Sequence, residues 1–113
     1  MCSRQMAFQV IDGMNKRIKE LFPEGTMDII LFGSYARNEE TDGSDIDIMY
    51  LVDASRETIS QKNWQVGEAA AELMLEYGVV VSPIVENRDY FNRYTDVLPF
   101  FGNVQREGVK LSA

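Results

Sequence analysis

Hydrophobic residues recur at helical spacing near the start of the chain. From about Arg4 to Leu21, apolar side chains fall every three or four positions with charged residues between them, and Pro23 follows the pattern. Such spacing predicts an amphipathic helix that turns one face to the core. The side chains expected on that face are Phe8, Ile11, Met14, Ile18 and Leu21.

Two short apolar runs follow, and in them the spacing changes from helical to extended. The first, MDIILFG, ends at Gly33 and is rich in residues that favour strands, which predicts a strand buried on both faces. In the second, DIDIMYLV, two aspartates alternate with isoleucines before the run becomes wholly apolar. A second strand is therefore predicted to begin there.

The remaining pattern predicts one long helix, a third strand and two short helices. Between Ser55 and about Tyr77 an apolar stripe runs beside a row of glutamates, and Gly78 stands where a helix C-cap is expected. The run GVVVSPIVE is predicted to be a strand, and Pro83 favours the edge of a sheet because proline lacks an N–H. The segments RDYFNRYTDV and LPFFGNVQREGVKL are predicted to be helical. This order of elements indicates an α/β (α+β) fold, a small mixed sheet packed with helices.

Aromatic residues are concentrated near the end of the printed sequence. The pattern favours a place in the core for most of them, and an exposed docking patch is the alternative. The residues concerned are Tyr90, Phe91, Tyr94, Phe100 and Phe101.

Length and charge narrow the classes of function. A chain of 113 residues, 45% of them hydrophobic, is expected to form one domain, and no apolar run reaches the roughly 20 residues that cross a bilayer. The N-terminal segment does not have the pattern of a secretion signal, so a cytoplasmic protein is expected. With 18 acidic and 11 basic residues the net charge is −7, the wrong sign for binding long nucleic acid.

The residue types also limit the chemistry. The chain has no histidine and a single cysteine, Cys2, which excludes imidazole bases, disulfide scaffolds and cysteine-rich zinc sites. Any acid, base or metal chemistry must therefore use carboxylates.

Five carboxylates lie within nine residues that contain no lysine or arginine. Three of them, Glu39, Glu40 and Asp42, are interpreted as parts of a solvated acidic loop. Asp45 and Asp47 have i, i+2 spacing at the start of a strand, which puts both carboxylates on one face, roughly 6.5 to 7 Å apart. Hard cations such as Mg²⁺ bind a few carboxylates together with substrate phosphates, so this pair is a candidate metal site.

Gly33 and Ser34 stand where the preceding strand ends and a helical turn can begin. Glycine lets a phosphate approach the backbone, the serine hydroxyl can donate a hydrogen bond, and the first N–H groups of a helical turn attract anions. Arg37, one turn further on, is placed to reach a phosphate. Taken alone, the corner is either a phosphate cradle or an ordinary Gly-Ser turn with a surface arginine.

The spacing between these two features is specific. Gly33-Ser34, ten residues and then Asp45-Ile46-Asp47 reproduce the G-S-x10-D-x-D signature of the DNA polymerase beta-like nucleotidyltransferase superfamily. The segment GSYARNEETDGSDIDIMYLV closely resembles the minimal nucleotidyltransferase branch, and the closing FFGNVQREGVKL extends the resemblance to most of the chain. The resemblance implies that residues 1–113 form a single domain with the nucleotidyltransferase fold.

The same resemblance implies a metal-dependent reaction that moves a nucleoside monophosphate from an NTP, usually ATP, to a hydroxyl group and releases pyrophosphate. By position in the family motif, Gly33 and Ser34 would bind the β and γ phosphates. Asp45 and Asp47 would hold Mg²⁺, two ions being expected, and Arg37 would be a further phosphate contact.

The chain departs from the family pattern in two places. Asn38 stands where many members have glycine, a mild change because asparagine tolerates a positive φ. Active members usually carry a third carboxylate on the later strand, but its expected place falls near Ser82, which can neither hold a metal well nor deprotonate an acceptor. Glu86 shares that strand face about 13 Å further on, where a solvated strand end is the favoured interpretation.

These observations leave two main functions open. In the first, the chain adenylylates a hydroxyl of a partner protein, since single-domain members of the family often form the antitoxin of a toxin–antitoxin pair with a helical HEPN-type ribonuclease. In the second, suggested by Ser82, it is a nucleotide-binding module with little or no catalysis that acts as a protein-interaction subunit. Modification of a small molecule ranks last, because such enzymes are usually larger. Oligomerisation is left open.

Overall fold

The computed structural model describes residues 4–41 and 43–111, within which five helices and four strands are found. In chain order they are α1 (Arg4–Leu21), β1 (Asp28–Phe32), α2 (Gly33–Ala36), β2 (Ile46–Val52), α3 (Arg56–Tyr77), β3 (Val81–Asn87), α4 (Arg88–Tyr94), α5 (Pro99–Glu107) and β4 (Val109–Leu111). The predicted α/β fold with a small mixed sheet is confirmed. Among the helices described, none combines the length and the apolar character needed to span a membrane.

The strands lie in the order β3-β2-β1-β4. β1 is antiparallel to both of its neighbours, whereas β2 and β3 are parallel and are connected through α3, as a parallel pair requires. β3 lies at an edge of the sheet, as Pro83 predicts. Phe32, Asp47 and Ser82 are in register across three strands, and we call the end of the sheet that they mark the upper end.

The sequence prediction was wrong for the last strand. The pattern predicts a helix that runs to Leu111, but α5 ends at Glu107 and β4 pairs with β1, with Val109 opposite Leu31. A strand of three residues has too little alternation to be recognised, and it forms because β1 offers it an edge to pair with.

Each face of the sheet buries its own apolar cluster. α1 and α3 cover one face, and α4 and α5 cover the other. Because side chains alternate along a strand, β1 and β2 contribute to both clusters and are buried on both sides. The same alternation places Asp47 and Phe32 on the face covered by α4 and α5, because Ile30 and Met49 lie there.

α1 turns a slightly different face inward from the one predicted. Ile11, Met14 and Ile18 are buried as expected, but Phe8 is 53% exposed while its neighbour Ala7 is buried. The face of α1 that packs against the core is therefore turned by one residue relative to the predicted face, so that Ala7 takes the buried place expected for Phe8.

α1 is also joined to the sheet by one polar contact. The hydroxyl of Tyr50, a fully buried residue of β2, donates a hydrogen bond of 2.7 Å to Asn15 Oδ1. Burial raises the pKa of Tyr50, so the phenol keeps its proton and remains a donor.

α3 begins and ends as predicted. The Ser55 hydroxyl oxygen accepts a hydrogen bond of 3.1 Å from the Thr58 N–H at the N-cap. At the other end Gly78 adopts φ 69°, the left-handed conformation of a glycine cap.

Arg88 holds the strands together at the end of the sheet opposite the upper end, which we call the lower end. Its guanidinium forms ion pairs with Asp28, at 2.9 Å, and with Asp53. It also donates to the carbonyl oxygens of Thr26 and Leu51 at 2.9 and 3.1 Å. Burial opposes its charge, but the hydrogen bonds and charges of the two aspartates outweigh that effect and raise the pKa of Arg88. One side chain thus ties β1, β2 and α4 together.

Four of the five aromatic residues near the end of the sequence are buried or partly buried, and Tyr90 and Tyr94 are the partly buried ones, packed against the cluster beneath α4 and α5. Phe91 and Phe101 are buried between the sheet and the helices α4 and α5, as predicted. Phe100 departs from that prediction, because 45% of its surface is exposed.

Candidate active site

A sharp corner joins β1 to α2 at the upper end of the sheet. Gly33 follows Phe32 with φ 72°, a left-handed conformation that glycine adopts without strain. α2 is a single helical turn in which Ser34 is the second residue, and the N–H of Arg37 closes it with a hydrogen bond of 3.2 Å to Gly33 O. The helical turn predicted at the Gly-Ser pair is confirmed.

The carboxylate of Asp47 lies directly against this corner. Phe32 and Asp47 are cross-strand partners, and a Cβ atom added to Gly33 would lie 2.3 Å from Asp47 Oδ2. Any side chain at position 33 would collide with the carboxylate. The corner thus requires glycine both for its backbone conformation and for this contact.

Asp45 and Asp47 lie together at the start of β2. Asp45 is exposed and precedes the strand, whereas Asp47 is half-buried within it. Partial burial raises the pKa of Asp47, the charge of Asp45 raises it further, and Arg37 opposes the change. Both neighbours are therefore close enough to act on the Asp47 charge. The structure brings the glycine corner, the two aspartates and Arg37 into one region.

Ion pairs hold the loop between α2 and β2. Arg37 binds Glu39 at 2.5 Å, and Arg4 at the start of α1 binds Glu40 at 2.9 Å. Arg4 also donates a hydrogen bond to the side chain of Asn38. Asn38 has φ 57°, so asparagine does serve where a positive φ is needed.

The interpretation of this loop as a solvated acidic segment is right for Glu39 and wrong for Glu40. Glu39 is exposed, but the Glu40 side chain is only 19% exposed, and its Oε1 atom is buried without a hydrogen-bond partner among the residues that the structure describes. The partner of Glu40 comes from α1, more than thirty residues away in sequence, and a local charge pattern cannot reveal it. Asp42 lies outside the described residues.

Arg37 is surrounded by carboxylates. Its hydrogen bond to Glu39 raises the pKa of Arg37 most, and the charges of Glu39, Glu107 and Asp47 add to the effect. Glu107 ends α5 directly before β4, whose pairing with β1 carries it to the upper end of the sheet. Sequence reasoning missed Glu107, because its proximity depends on α5 folding back over β1. The contact with Glu39 uses Arg37 Nε, so a phosphate can bind the other guanidinium nitrogens without displacing Glu39.

Ser82 is the residue of β3 that stands beside Asp47. Side chains in register on neighbouring strands point to the same face, so position 82 is where a third carboxylate would join the aspartate pair. The chain has a hydroxyl there instead.

Glu86 does not supply the missing carboxylate, and its interpretation as a solvated strand end was wrong. It pairs with Leu51, four residues along β2 from Asp47, and only 8% of it is exposed. Its Oε2 atom accepts hydrogen bonds from Arg56 Nε at 3.2 Å and from the Asn87 N–H at 2.8 Å. The ion pair with α3 therefore explains why Glu86 is buried.

The donor set fits a divalent cation when a phosphate binds with it. Within residues 4–41 and 43–111, no group of three or more acidic, histidine or cysteine side chains is placed to hold a metal ion. Asp45 and Asp47 supply two carboxylates, and Mg²⁺ commonly completes its coordination with water and substrate phosphates. The adjacent glycine corner is the place from which such phosphates would be offered.

Comparison with known proteins identifies the kind of domain. The model of the family described as nucleotidyltransferase domain matches residues 11–100, which include the glycine corner and both aspartates. Similar proteins are found in the archaeon Methanocaldococcus jannaschii, where they carry the name "Putative protein adenylyltransferase".

Three of these relatives show how far the similarity extends. MJ0604 is 40% identical over 80 residues, which cover 71% of this chain and 72% of the relative. MJ0141 is 28% identical over 94 residues, 83% of this chain and 93% of the relative. MJ1305 is 30% identical over 86 residues, 75% of this chain and 58% of the relative. The chain therefore belongs to the nucleotidyltransferase domain family, whose members use a nucleoside triphosphate and generally a divalent metal ion.

Proposed function

We propose that this chain transfers the nucleoside monophosphate of ATP to a hydroxyl group on a partner protein. One observation carries the proposal: the Asp47 carboxylate lies against Gly33, so the Gly-Ser turn and the aspartate pair can act on the same substrate. The relatives lend support, because their names describe protein adenylyltransferases.

Each group at the corner has a separate role in this proposal. The backbone at Gly33 and the hydroxyl of Ser34 bind the β and γ phosphates, which leave as pyrophosphate. Asp45 and Asp47 hold Mg²⁺, which when bound neutralises the negative charge that develops on the reacting oxygens. Arg37 binds a phosphate through its guanidinium.

The reaction itself exchanges one phosphorus–oxygen bond for another. The acceptor hydroxyl oxygen bonds to the α phosphorus, the bond from that phosphorus to the bridging oxygen breaks, and the hydroxyl proton passes to solvent or to the leaving pyrophosphate. Phosphoryl transfer depends mainly on positioning and charge neutralisation. A site with Ser82 in place of a base can therefore still support it.

We further propose that the partner is a helical HEPN-type ribonuclease, with this chain as the antitoxin of the pair in the cytoplasm. The net charge of −7 supports this choice, because an acidic protein associates readily with a basic RNA-binding surface.

The test is a transfer assay with labelled ATP, Mg²⁺ and the purified product of the adjacent gene. Label is expected on that product with the native chain, and none is expected with Asp45→Asn, with Asp47→Asn or after chelation of the metal. Lack of label at saturating metal, from a chain that is shown to be folded, contradicts the proposal.

A second function, a nucleotide-binding module without catalysis, is supported by the serine beside Asp47. Tight binding of Mg²⁺-ATP together with no transfer to any acceptor would favour the module. Ser82→Asp places a carboxylate at the missing position. In an active enzyme that lacks a base, we expect this variant to raise the transfer rate roughly 10²-fold, the lower range of general base catalysis.

A further inference from the structure

An exposed aromatic ring stands beside the upper end of the sheet. Phe32 and Asp47 are cross-strand partners, so their Cβ atoms lie about 5 Å apart on one face. Phe100 of α5 packs edge-on against Phe32, with ring centroids 5.7 Å apart and an angle of 77° between the rings. Phe100 is nevertheless 45% exposed, whereas the next residue, Phe101, is buried.

Phe32 connects this ring to the aspartate pair. It is the cross-strand partner of Asp47 and it packs against Phe100, so Phe100 is a near neighbour of the site through one intervening side chain. A ribose and its base extend away from an α phosphate and reach the side chains that surround it. A triphosphate bound at the glycine corner can therefore bring its base to the exposed face of Phe100.

The charges at the site give a nucleotide little help. The chain carries a net charge of −7, and Arg37 is already paired with Glu39 in the neighbourhood of Glu107 and Asp47. Part of the binding energy must then come from contacts that do not depend on charge. An exposed ring whose orientation is fixed by a neighbouring aromatic offers such a contact, because nucleobases stack on aromatic faces.

We propose that Phe100 is the platform on which the base of the bound nucleoside triphosphate stacks, with Phe32 holding the ring in place. The inference rests on the proposed function and adds how the nucleoside is held. Stacking uses the face that every base has, so the platform discriminates weakly among bases and favours purines, whose faces are larger.

The experiment compares the dissociation constants of Mg²⁺-ATP and of Mg²⁺-tripolyphosphate, the second of which lacks a nucleoside. Phe100→Ala is expected to weaken binding of ATP about 5- to 150-fold and to leave tripolyphosphate binding unchanged. Phe100→Leu keeps apolar area without a ring and is expected to weaken ATP binding similarly, whereas Phe100→Tyr keeps the native affinity. Phe8→Ala is the matched control, because Phe8 is 53% exposed on the opposite side of the sheet.

The outcomes separate this inference from the proposed function. Unchanged affinity of Phe100→Ala for ATP overturns the platform. If that variant also fails to transfer the nucleotide although it binds ATP normally, Phe100 contacts the acceptor instead of the base. Equal weakening of ATP and tripolyphosphate also overturns it, because the phosphate site itself would be damaged. If the native chain binds tripolyphosphate but shows no transfer activity, the proposed function fails while the platform is still tested by ATP binding.

Discussion

Replacing Gly33 with alanine tests how the corner between β1 and α2 works. The substitution adds a single methyl group, yet it acts in two ways, through the backbone and through Asp47. Two other glycines of the chain separate these effects, because each shares some of the features of Gly33 and lies away from the candidate site.

The magnitudes follow from the geometry. At φ 72° an alanine costs about 1–2 kcal/mol relative to glycine, and each kcal/mol lowers the melting temperature by roughly 4 °C in a domain of this size. The new Cβ would lie 2.3 Å from Asp47 Oδ2, so the carboxylate must rotate away. That rotation costs little stability, but it removes a charged group from the corner. We expect transfer to fall about 10²- to 10³-fold, as when one positioned catalytic group is lost.

Gly78→Ala and Gly25→Ala are the matched controls. Gly78 has φ 69° and open space around the added Cβ, so its alanine carries the backbone cost alone. Gly25 has φ 75°, and its Cβ would lie 1.9 Å from Asp53 Oδ2, which reproduces the collision with a carboxylate at the lower end of the sheet. Both variants are expected to lose stability and to keep native activity per folded molecule.

The assay combines thermal unfolding with transfer measured well below the lowest melting temperature. The reasoning is refuted if Gly33→Ala retains as much activity as Gly78→Ala, since displacing Asp47 would then have no consequence. It is also refuted if all three variants lose activity in proportion to their loss of stability.

Three further predictions concern stability. Burial and the charge of Asp45 raise the pKa of Asp47 above its value in the unfolded chain. Ionisation of Asp47 therefore destabilises the fold as the pH rises from the unfolded-chain pKa through the folded-state pKa. Urea unfolding should show Asp47→Asn to be more stable than the native chain at neutral pH, with the difference gone below about pH 4. Arg88→Met removes the cation that pairs with Asp28 and Asp53 and should cost about 2–3 kcal/mol, less than a fully buried pair because Asp53 is partly exposed. Arg88→Lys should recover only part of this stability, and full recovery would contradict the role of the forked guanidinium. Tyr50→Phe should cost about 1 kcal/mol, and a double-mutant cycle with Asn15→Ala should give a coupling energy clearly different from zero if their hydrogen bond is formed.

The sequence predicts elements whose signals are local. The apolar run of β1, the aspartate alternation that opens β2 and the cap Gly78 of α3 each lie within a few residues of the element they define. The candidate site was predicted because Gly33-Ser34 and Asp45-Ile46-Asp47 together match a family signature, although each part alone has a plainer interpretation.

Features that depend on distant contacts could not be predicted. Glu86 is buried because Arg56 reaches it from α3, and Glu40 because Arg4 does so from the start of α1. β4 exists because β1 has an edge to pair with, and that pairing brings Glu107 to Arg37. Each of these depends on how helices fold back over the sheet, which a pattern of local spacing does not contain.

The central claim is that the glycine corner and the aspartate pair bind one triphosphate together. A crystal structure of the chain with Mg²⁺ and a non-hydrolysable ATP analogue tests it most directly. We predict density for the β and γ phosphates at Gly33 and Ser34, with a metal ion between the α phosphate and the carboxylates of Asp45 and Asp47. A nucleotide bound elsewhere, or bound at the corner with no metal contacting either aspartate, would contradict the account.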